Sequence, residues 1–359
     1  MVDDEKIRVL VVDDSALMRK LISHILSRDP EIEVVGTAMD GLFALKKIEK
    51  LKPDVVTLDI DMPRMDGLTT LKAIVEEFGI PVILVSSLTE KGALLTLQAL
   101  EMGAVDFVTK PPGIPSLRLE KVADELIRKV KACSSTSLRR LPRVIEAGAG
   151  PKKEEAVRMA ERVVAIGVST GGPQALSLLL PSLPPDFPAG VLIVQHMPEG
   201  FTEMFARRLD QLSKIEVKEA KEGDLILPGR ALIAPGNRHL KVRRLRLSPV
   251  ASITGGPEVN GHRPSVDVLF NSVAQEFGPK AIGVIMTGMG EDGAEGIGRI
   301  RAAGGATLAQ SEDSCVIFGM PKAAIERGYV QRVVPLEHLA ASLEDLVQDF
   351  RPQTPDPRP

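Results

Sequence analysis

The chain has 359 residues, of which 44% are hydrophobic, so it is long enough for two domains with buried cores. A formal net charge of -3, with no Trp, one Tyr and ten Phe, argues against a nucleic-acid-binding protein, which usually presents a basic face and stacking aromatics. The acidic N-terminus and the lack of a long apolar run argue against a signal peptide and a membrane span. Two distant cysteines, Cys133 and Cys315, favour a reducing cytoplasm over a disulfide framework.

Strand-like and helix-like runs alternate in the first 130 residues, which predicts a doubly wound, five-stranded parallel sheet. The predicted strands are residues 7–12, 33–36, 55–58, 82–85 and 106–108. Ligands of such sheets bind at the carboxyl ends of the strands. The groups at these ends are three carboxylates, a hydroxyl and a lysine: Asp13, Asp14, Asp59, Ser86 and Lys110.

This set of side chains has two interpretations. It could be one satisfied charge network, with no ligand. However, oxygen ligands of this kind suit Mg²⁺, and a lysine neutralises phosphoryl charge. Because the groups come from four separate strand ends, we favour a site for Mg²⁺ and phosphate.

Residues 7–129 resemble a two-component receiver domain, with matches at Asp13-Asp14, at residues 58–67, at Ser86 and at residues 110–111. The resemblance implies that Asp59 accepts a phosphoryl group from a histidine kinase. It implies that Asp13, Asp14 and Asp59, with a backbone carbonyl two residues after Asp59, bind Mg²⁺.

The same resemblance assigns three further positions in the receiver. Ser86 and Phe107 occupy the hydroxyl and aromatic positions that rearrange on phosphorylation, and Lys110 pairs with the phosphate. Phe107 lacks the hydroxyl of the tyrosine found in some relatives, so any switching there is between a buried and an exposed ring.

A stretch rich in Ser, Gly, Pro and charge follows a predicted helix over residues 119–131. Such a composition buries little apolar surface, so we predict a flexible linker over residues 132–159. The linker separates a predicted domain 1–131 from a second domain 160–347, and residues 348–359 are predicted to be a disordered tail.

The second domain is predicted to be doubly wound and mostly parallel, with an antiparallel β insertion. Strands are predicted over residues 163–168, 190–195, 281–287, 306–310 and 330–334, and helices near 173–180 and 200–212. Shorter β segments are expected near 215–218, 224–234 and 240–247. In the last of these, apolar residues alternate with charged ones that suit an exposed edge: Lys241, Arg243, Arg244 and Arg246.

The strand at 163–168 leads into a candidate nucleophile. Residues 167–171 match G-x-S-x-G, in which small neighbours expose a serine, here Ser169, on a tight turn before a helix. Glycine-rich turns between strand and helix also serve as plain structural turns and as phosphate cradles. The motif alone leaves these three interpretations open.

A serine nucleophile needs a base, and the chain has five histidines. Only His196 directly follows a buried apolar strand, whereas His239 and His262 lie in loops rich in Gly, Pro and Asn. Asp292 lies in a glycine-rich loop after the strand near 281–287. Hydroxyl, imidazole and carboxylate at three strand ends are the groups of a Ser-His-Asp triad. Their order along the chain differs from that of the α/β-hydrolases, which disfavours that fold.

Residues 160–347 resemble the catalytic domain of the CheB methylesterase family, which demethylates chemotaxis receptors. The matching motifs are residues 167–172, 195–198, 234–236, 262–267, 287–293 and 318–321. The resemblance implies that Ser169, His196 and Asp292 form the catalytic triad and that the Met289 backbone N–H helps to hold the oxyanion. Thr170 and residues 263–267 then line the site. Glu291 stands where some relatives carry Asn.

Together the resemblances imply a phosphorylation-activated serine hydrolase in chemotaxis adaptation. It would demethylate glutamate methyl esters on chemoreceptors, release methanol and deamidate receptor glutamines. Its implied phosphodonor is the histidine kinase CheA, with Mg²⁺ for phosphorylation and no cofactor for ester hydrolysis. The unphosphorylated receiver is expected to limit access to the triad. Two alternatives stay open: a serine hydrolase of another ester, and a non-enzymatic response regulator whose second domain is a binding module.

Overall fold

The computed structural model describes residues 6–87, 89–110, 116–134, 160–245 and 248–348. The chain divides into two compact units, Met1–Val144 and Ile145–Pro359. Most of the predicted linker, residues 135–159, and residues 349–359 of the predicted tail lie outside the described residues. Within the described ranges, no helix has both the length and the apolar character that a membrane crossing requires.

The first unit is a parallel sheet flanked by helices. Its strands are β1 Ile7–Val12, β2 Ile32–Ala38, β3 Val55–Asp59, β4 Val82–Ser86 and β5 Asp106–Thr109. Its helices are α1 Ala16–Leu26, α2 Gly41–Leu51, α3 Gly67–Ala73 with a π-helical turn Ile74–Phe78, α4 Glu90–Glu101 and α5 Ser116–Ser134. The strand order β2-β1-β3-β4-β5 confirms the predicted five-stranded sheet. Helix α5 continues three residues into the range predicted as linker.

Local sequence explains how this unit positions its acidic residues. Strands β3 and β4 are buried at every residue, as their apolar runs require. The N-caps of helices α1 and α2 are Ser15 and Asp40, whose side chains accept hydrogen bonds from the amides three residues later. The connections leave β1 and β3 in opposite directions along the sheet, so the ends of these two strands form its ligand-binding edge.

The second unit is built on a larger sheet. Its strands are β6 Val163–Val168, β7 Gly190–Gln195, β8 Glu216–Glu219, β9 Arg230–Ile233, β12 Ala281–Ile285, β13 Ala306–Gln310 and β14 Arg332–Val334, with a separate pair, β10 His239–Leu245 and β11 Ser248–Thr254. Its helices are α6 Gly172–Ser182, α7 Phe201–Leu212, α8 Val266–Phe277, α9 Ala294–Ala302, α10 Met320–Glu326 and α11 Leu336–Gln348, with short 3-10 turns at Gly278–Lys280 and Glu312–Ser314.

The seven-stranded sheet has the order β14-β13-β12-β6-β7-β9-β8, and all its neighbouring strands are parallel. Strands β10 and β11 are antiparallel, which confirms the predicted insertion. Lys241, Arg243 and Arg244 are exposed on β10, as expected for a charged edge, and Arg246 lies outside the described residues.

One predicted β segment is shorter than expected. Of residues 224–234 only Arg230–Ile233 form a strand of the sheet, because Pro228 and Gly229 turn the chain just before it. Gly229 has a φ of 67°, in the region that favours glycine. Upstream of this turn, Leu225 makes only an isolated antiparallel bridge with Val250 of β11.

Two glycines let helix α8 approach the centre of this sheet. A Cβ on Gly167 would lie 2.2 Å from Val266 Cγ1, and one on Gly293 would lie 2.5 Å from the same atom. Val266 is the first residue of α8, and it is fully buried. The N-terminus of α8 is therefore packed at the carboxyl ends of β6 and β12.

Candidate functional site

Three strand ends meet at one edge of the second sheet. Ser169 directly follows β6, His196 directly follows β7, and Asp292 lies in the loop after β12. The sheet order places β6 between β7 and β12, and the connections leave β6 and β12 in opposite directions. The Ser169 amide donates to the Thr287 carbonyl at 3.0 Å, and the His196 amide donates to the Val168 carbonyl at 3.2 Å. The structure thus brings the three predicted residues to the switch point of the sheet, where α/β folds bind ligands.

A tight turn presents Ser169. Gly171, with a φ of 77°, is the N-cap of α6, and the Gly172 amide donates to the Ser169 carbonyl at 2.8 Å. Pro173 lies in the first turn of the helix, as its fixed φ allows. A Cβ on Gly288 would come within 2.8 Å of Ser169 Cβ. The neighbouring loop therefore needs glycine there so that the serine has room.

Gln195, which the sequence analysis did not single out, ties the turns of serine and histidine together. Its buried side chain donates from Nε2 to the Ser169 carbonyl at 3.1 Å and to the His196 carbonyl at 3.2 Å. A polar residue at the end of the apolar run of β7 is the sequence signal that marks it, because a buried amide needs partners.

Asp292 is buried and accepts hydrogen bonds from five donors. These are His196 Nε2 at 2.9 Å, Ser265 Oγ at 2.8 Å, the Val266 amide at 2.7 Å, the Asp267 amide at 3.3 Å and Asn260 Nδ2 at 3.1 Å. Three of the five come from the N-terminus of α8 and its N-cap Ser265. Helix N-termini favour anions because their free amides and the helix dipole point at the charge.

Burial and these contacts act on the pKa of Asp292 in opposite directions. Burial alone would raise the pKa of the carboxyl group, but the hydrogen bond and charge of His196, with the bonds from Val266 and Ser265, hold the pKa at about 2. Asp292 is therefore ionised at neutral pH and fixes the proton of His196 on Nε2.

His196 has a defined orientation. Its side chain is 9% exposed, and its Nε2 is hydrogen-bonded to Asp292. Nδ1 is buried and has no hydrogen-bond partner among the described residues. Nδ1 is therefore the nitrogen available to accept a proton. In the serine proteases the two ring nitrogens have the opposite partners.

His262, placed in a loop by the sequence analysis, lies in this site. Its ring stacks on that of His196, with the centroids 3.9 Å apart and the planes at 11°. Asn260, two residues earlier, is one of the donors to Asp292 and also donates to Asp267 Oδ2 at 2.7 Å. The available sequence signal was the Asn-Gly pair at 260–261, which is typical of a two-residue turn.

The other predicted lining residues also lie near this edge. Within the described residues, no group accepts a hydrogen bond from the Met289 amide, which follows Gly288. Thr170 is buried, and its carbonyl accepts from Thr287 Oγ1 at 2.9 Å. Glu291 is exposed and pairs with Arg327 at 2.6 Å, so this carboxylate and that of Asp292 have separate partners.

The first unit contains a second site, an acidic one. Carboxylate oxygens of Asp13, Asp14 and Asp59 lie within 4.8 Å of one another. Lys110 Nζ lies 3.0 Å from Asp13 and 2.7 Å from Asp59. The pKa of Asp59 is raised, chiefly by burial and also by the charge of Asp13, although Lys110 opposes the shift. Lys110 pairs with two of the three clustered carboxylates, so the oxygen ligands and the excess negative charge suit a hard divalent cation.

The predicted switch residues lie on β4 and β5, the strands that follow β3 in the sheet order. Ser86 is buried, and its hydroxyl accepts a hydrogen bond from Thr96 Oγ1 at 2.6 Å. Phe107 is also buried, and Lys129 Nζ lies 5.6 Å from its ring centroid. The sequence analysis considered a buried and an exposed ring for Phe107, and the structure has the buried one.

Comparison with known proteins identifies relatives of both units. A family model described as CheB methylesterase matches residues 164–343, and one described as response regulator receiver domain matches residues 9–120. A protein-glutamate methylesterase/protein-glutamine glutaminase 2 of Koribacter versatilis is 56% identical over 344 residues, covering 93% of this chain and 94% of that protein. A protein-glutamate methylesterase/protein-glutamine glutaminase of Pyrococcus horikoshii is 48% identical over 353 residues, covering 96% and 95%.

Among solved structures, the catalytic domain of Thermotoga maritima CheB methylesterase has a TM-score of 0.51 and 41% identity. The match covers 52% of this chain and 98% of that one. The comparisons confirm both family resemblances stated from the sequence.

Replacing Asp292 by Asn should weaken the acid dependence of stability. A pKa of about 2 in the folded state, against about 3.9 in an unfolded chain, stabilises the fold by roughly 2 to 3 kcal/mol above pH 5, and this contribution is lost as the pH falls from about 4 to 2. Urea unfolding should show that the wild type loses about 1 kcal/mol more than Asp292→Asn between pH 5 and pH 3. The exposed Asp186 offers a control, since Asp186→Asn should follow the wild type. An equal loss in wild type and Asp292→Asn would contradict the account.

Proposed function

The chain belongs to the CheB methylesterase family and carries a receiver domain, and from this premise we propose that Ser169, His196 and Asp292 hydrolyse glutamate methyl esters of chemoreceptors under phosphorylation control. The observation that carries the proposal is the placement of the three residues at neighbouring strand ends, with His196 Nε2 2.9 Å from an Asp292 carboxylate that is itself held by α8.

In the first half of the reaction, Ser169 Oγ transfers its proton to His196 Nδ1 and attacks the ester carbonyl carbon. The negative charge on the carbonyl oxygen is stabilised by the Met289 N–H. When the tetrahedral intermediate collapses, the C–O bond to the methoxy group breaks and the proton on His196 passes to it, giving methanol and an acyl-serine. Asp292 stabilises the imidazolium that exists between these two transfers.

In the second half, His196 takes a proton from water, which attacks the acyl-serine. The glutamate carboxylate leaves, and the proton returns to Ser169. A glutamine side chain enters the same sequence with ammonia in place of methanol, so the site also supports deamidation. Serine is favoured over cysteine as the nucleophile, because burial raises the pKa of the Cys315 thiol to about 12, and that of Cys133 is also raised by burial.

In the receiver, Asp59 is the proposed phosphoacceptor and CheA the phosphodonor. Asp13, Asp14 and Asp59 would hold Mg²⁺, which when bound neutralises carboxylates that face the incoming phosphate. Lys110 then pairs with the phosphoryl group, while Ser86 and Phe107 rearrange. We place these events in the cytoplasm, where the two free thiols stay reduced.

The nucleophile assignment predicts that Ser169→Ala lowers methanol release by at least about 10³-fold, the scale seen when triad members are removed. The measurement is initial release of labelled methanol from methyl-labelled receptor membranes. Ser182→Ala removes an exposed serine at the end of α6 and should keep wild-type activity, as should Cys315→Ser. Near-normal release by Ser169→Ala would refute the assignment, and loss of activity in a folded Cys315→Ser protein would point to a thiol.

The receiver assignment predicts that a small phosphodonor with Mg²⁺ labels the full-length wild type and stimulates its methanol release. Asp59→Asn should prevent labelling and leave the rate at its basal value, and EDTA should block labelling of the wild type. Asp124→Asn, an exposed site in α5, is the matched control and should respond fully. Undiminished labelling of Asp59→Asn would show that another residue accepts the phosphoryl group.

A further inference from the structure

The base of the proposed triad has a second imidazole lying flat against it. The rings of His196 and His262 are 3.9 Å apart at their centroids and only 11° from parallel. That distance is van der Waals contact between flat faces, so His262 covers one side of His196. A hydrogen bond from Nε2 to Asp292 at 2.9 Å also orients the ring.

A tight turn fixes the position of His262. The Val259 amide donates to the His262 carbonyl at 3.0 Å, and the His262 amide donates to the Val259 carbonyl at 2.9 Å. Between them, Asn260 and Gly261 have φ values of 52° and 74°. Positive φ at both central residues is the signature of a type I′ turn, which Asn-Gly strongly favours. The ring of His262 is thus attached to a well-defined backbone.

The same turn also reaches the acid of the triad. Asn260 Nδ2 donates to Asp292 Oδ1 at 3.1 Å and to Asp267 Oδ2 at 2.7 Å. One four-residue turn therefore contacts both members of the His196–Asp292 pair. Because one turn contacts both groups, it fixes the position of the imidazole relative to the carboxylate.

A metal site is the other interpretation of this cluster. Potential ligand atoms of His196, His262 and Asp292 lie within 4.8 Å of one another. However, imidazole lone pairs lie in the plane of the ring, and the planes of these two rings are nearly parallel. A tetrahedral site requires lone pairs that converge on one ion, whereas the lone pairs of these two rings run side by side. The geometry favours stacking.

We propose that His262 is a positioning residue for the His196 base. The hydrogen bond at Nε2 fixes one atom of the imidazole but does not by itself set the tilt of the ring. The flat contact with His262 restricts that tilt, so Nδ1 stays directed for proton transfer, a step that depends strongly on orientation. This inference rests on the proposed function, because it assigns His196 the role of base.

The proposal requires a flat ring at position 262, but it does not require either nitrogen of that ring. His262→Phe should keep kcat within about threefold of the wild type, because phenyl rings also stack. His262→Ala and His262→Leu should each lower kcat by about tenfold, the scale of one stacking contact, with KM unchanged. Leucine fills the space without a flat face, so it separates stacking from mere filling. His338→Ala removes an exposed histidine of the same unit and serves as the control.

Two readouts on the full-length protein test the proposal. The first is kcat and KM for methanol release from methylated receptor. The second, which needs no catalysis, is the proton resonance of the His196 Nε2–H bonded to Asp292, observed in protein labelled with ¹⁵N-histidine. It should be sharp in the wild type, His262→Phe and His338→Ala, and broadened in His262→Ala and His262→Leu.

Two outcomes would overturn the proposal. One is wild-type kcat and a sharp resonance in both His262→Ala and His262→Leu. The other is a His262→Phe variant as impaired as His262→Ala, which would mean that a ring nitrogen is needed. If the wild type releases no methanol, the proposed function fails, while the resonance still decides whether His262 holds the imidazole.

Discussion

The geometry of the proposed triad depends on the buried carboxylate of Asp292. An ionised carboxylate in the interior is unfavourable unless several donors replace the water it has lost. Here the N-terminus of α8 and its N-cap supply three donors, Asn260 supplies a fourth, and His196 supplies the fifth. Helix α8 gets this close because Gly167 and Gly293 leave room for Val266. The charge that orients the imidazole is thus itself fixed by backbone and packing.

Both units place their reactive groups by the same topological rule, but with different charge balances. In each, the groups follow parallel strands at the point where the connections diverge. At the receiver site, Lys110 pairs with two of three clustered carboxylates, those of Asp13 and Asp59, so the side chains of this cluster carry an excess of negative charge. At the other site, five donors surround the Asp292 carboxylate, and the adjacent imidazole keeps Nδ1 available for a proton. The first balance suits phosphoryl transfer with a divalent cation, and the second suits proton transfer to and from a serine.

The sequence predicted the strands well enough to bring Ser169, His196 and Asp292 to one edge, because strand ends follow directly from apolar runs. Periodicity did not predict how these three residues are held. Gln195 and His262 come near the triad through tertiary packing, which periodicity does not reveal, whereas Ser265 lies in the lining segment 263–267 that the family resemblance implied. Local signals existed all the same: Asn260-Gly261 marks the turn, and Ser265 before an apolar helix marks an N-cap. At Pro228 a local signal was overlooked: the turn there interrupts the run 224–234, which was predicted as one continuous β segment.

The central claim is that one serine is activated by a histidine that a buried carboxylate orients. The most direct measurement is the reaction of the full-length protein with a fluorophosphonate, followed by mass mapping of the modified peptide. The account predicts one label per chain, on Ser169, and a labelling rate at least about 10²-fold lower in Asp292→Asn, because the wrong imidazole tautomer is then favoured. Labelling at another residue, or an unchanged rate in Asp292→Asn, would contradict it.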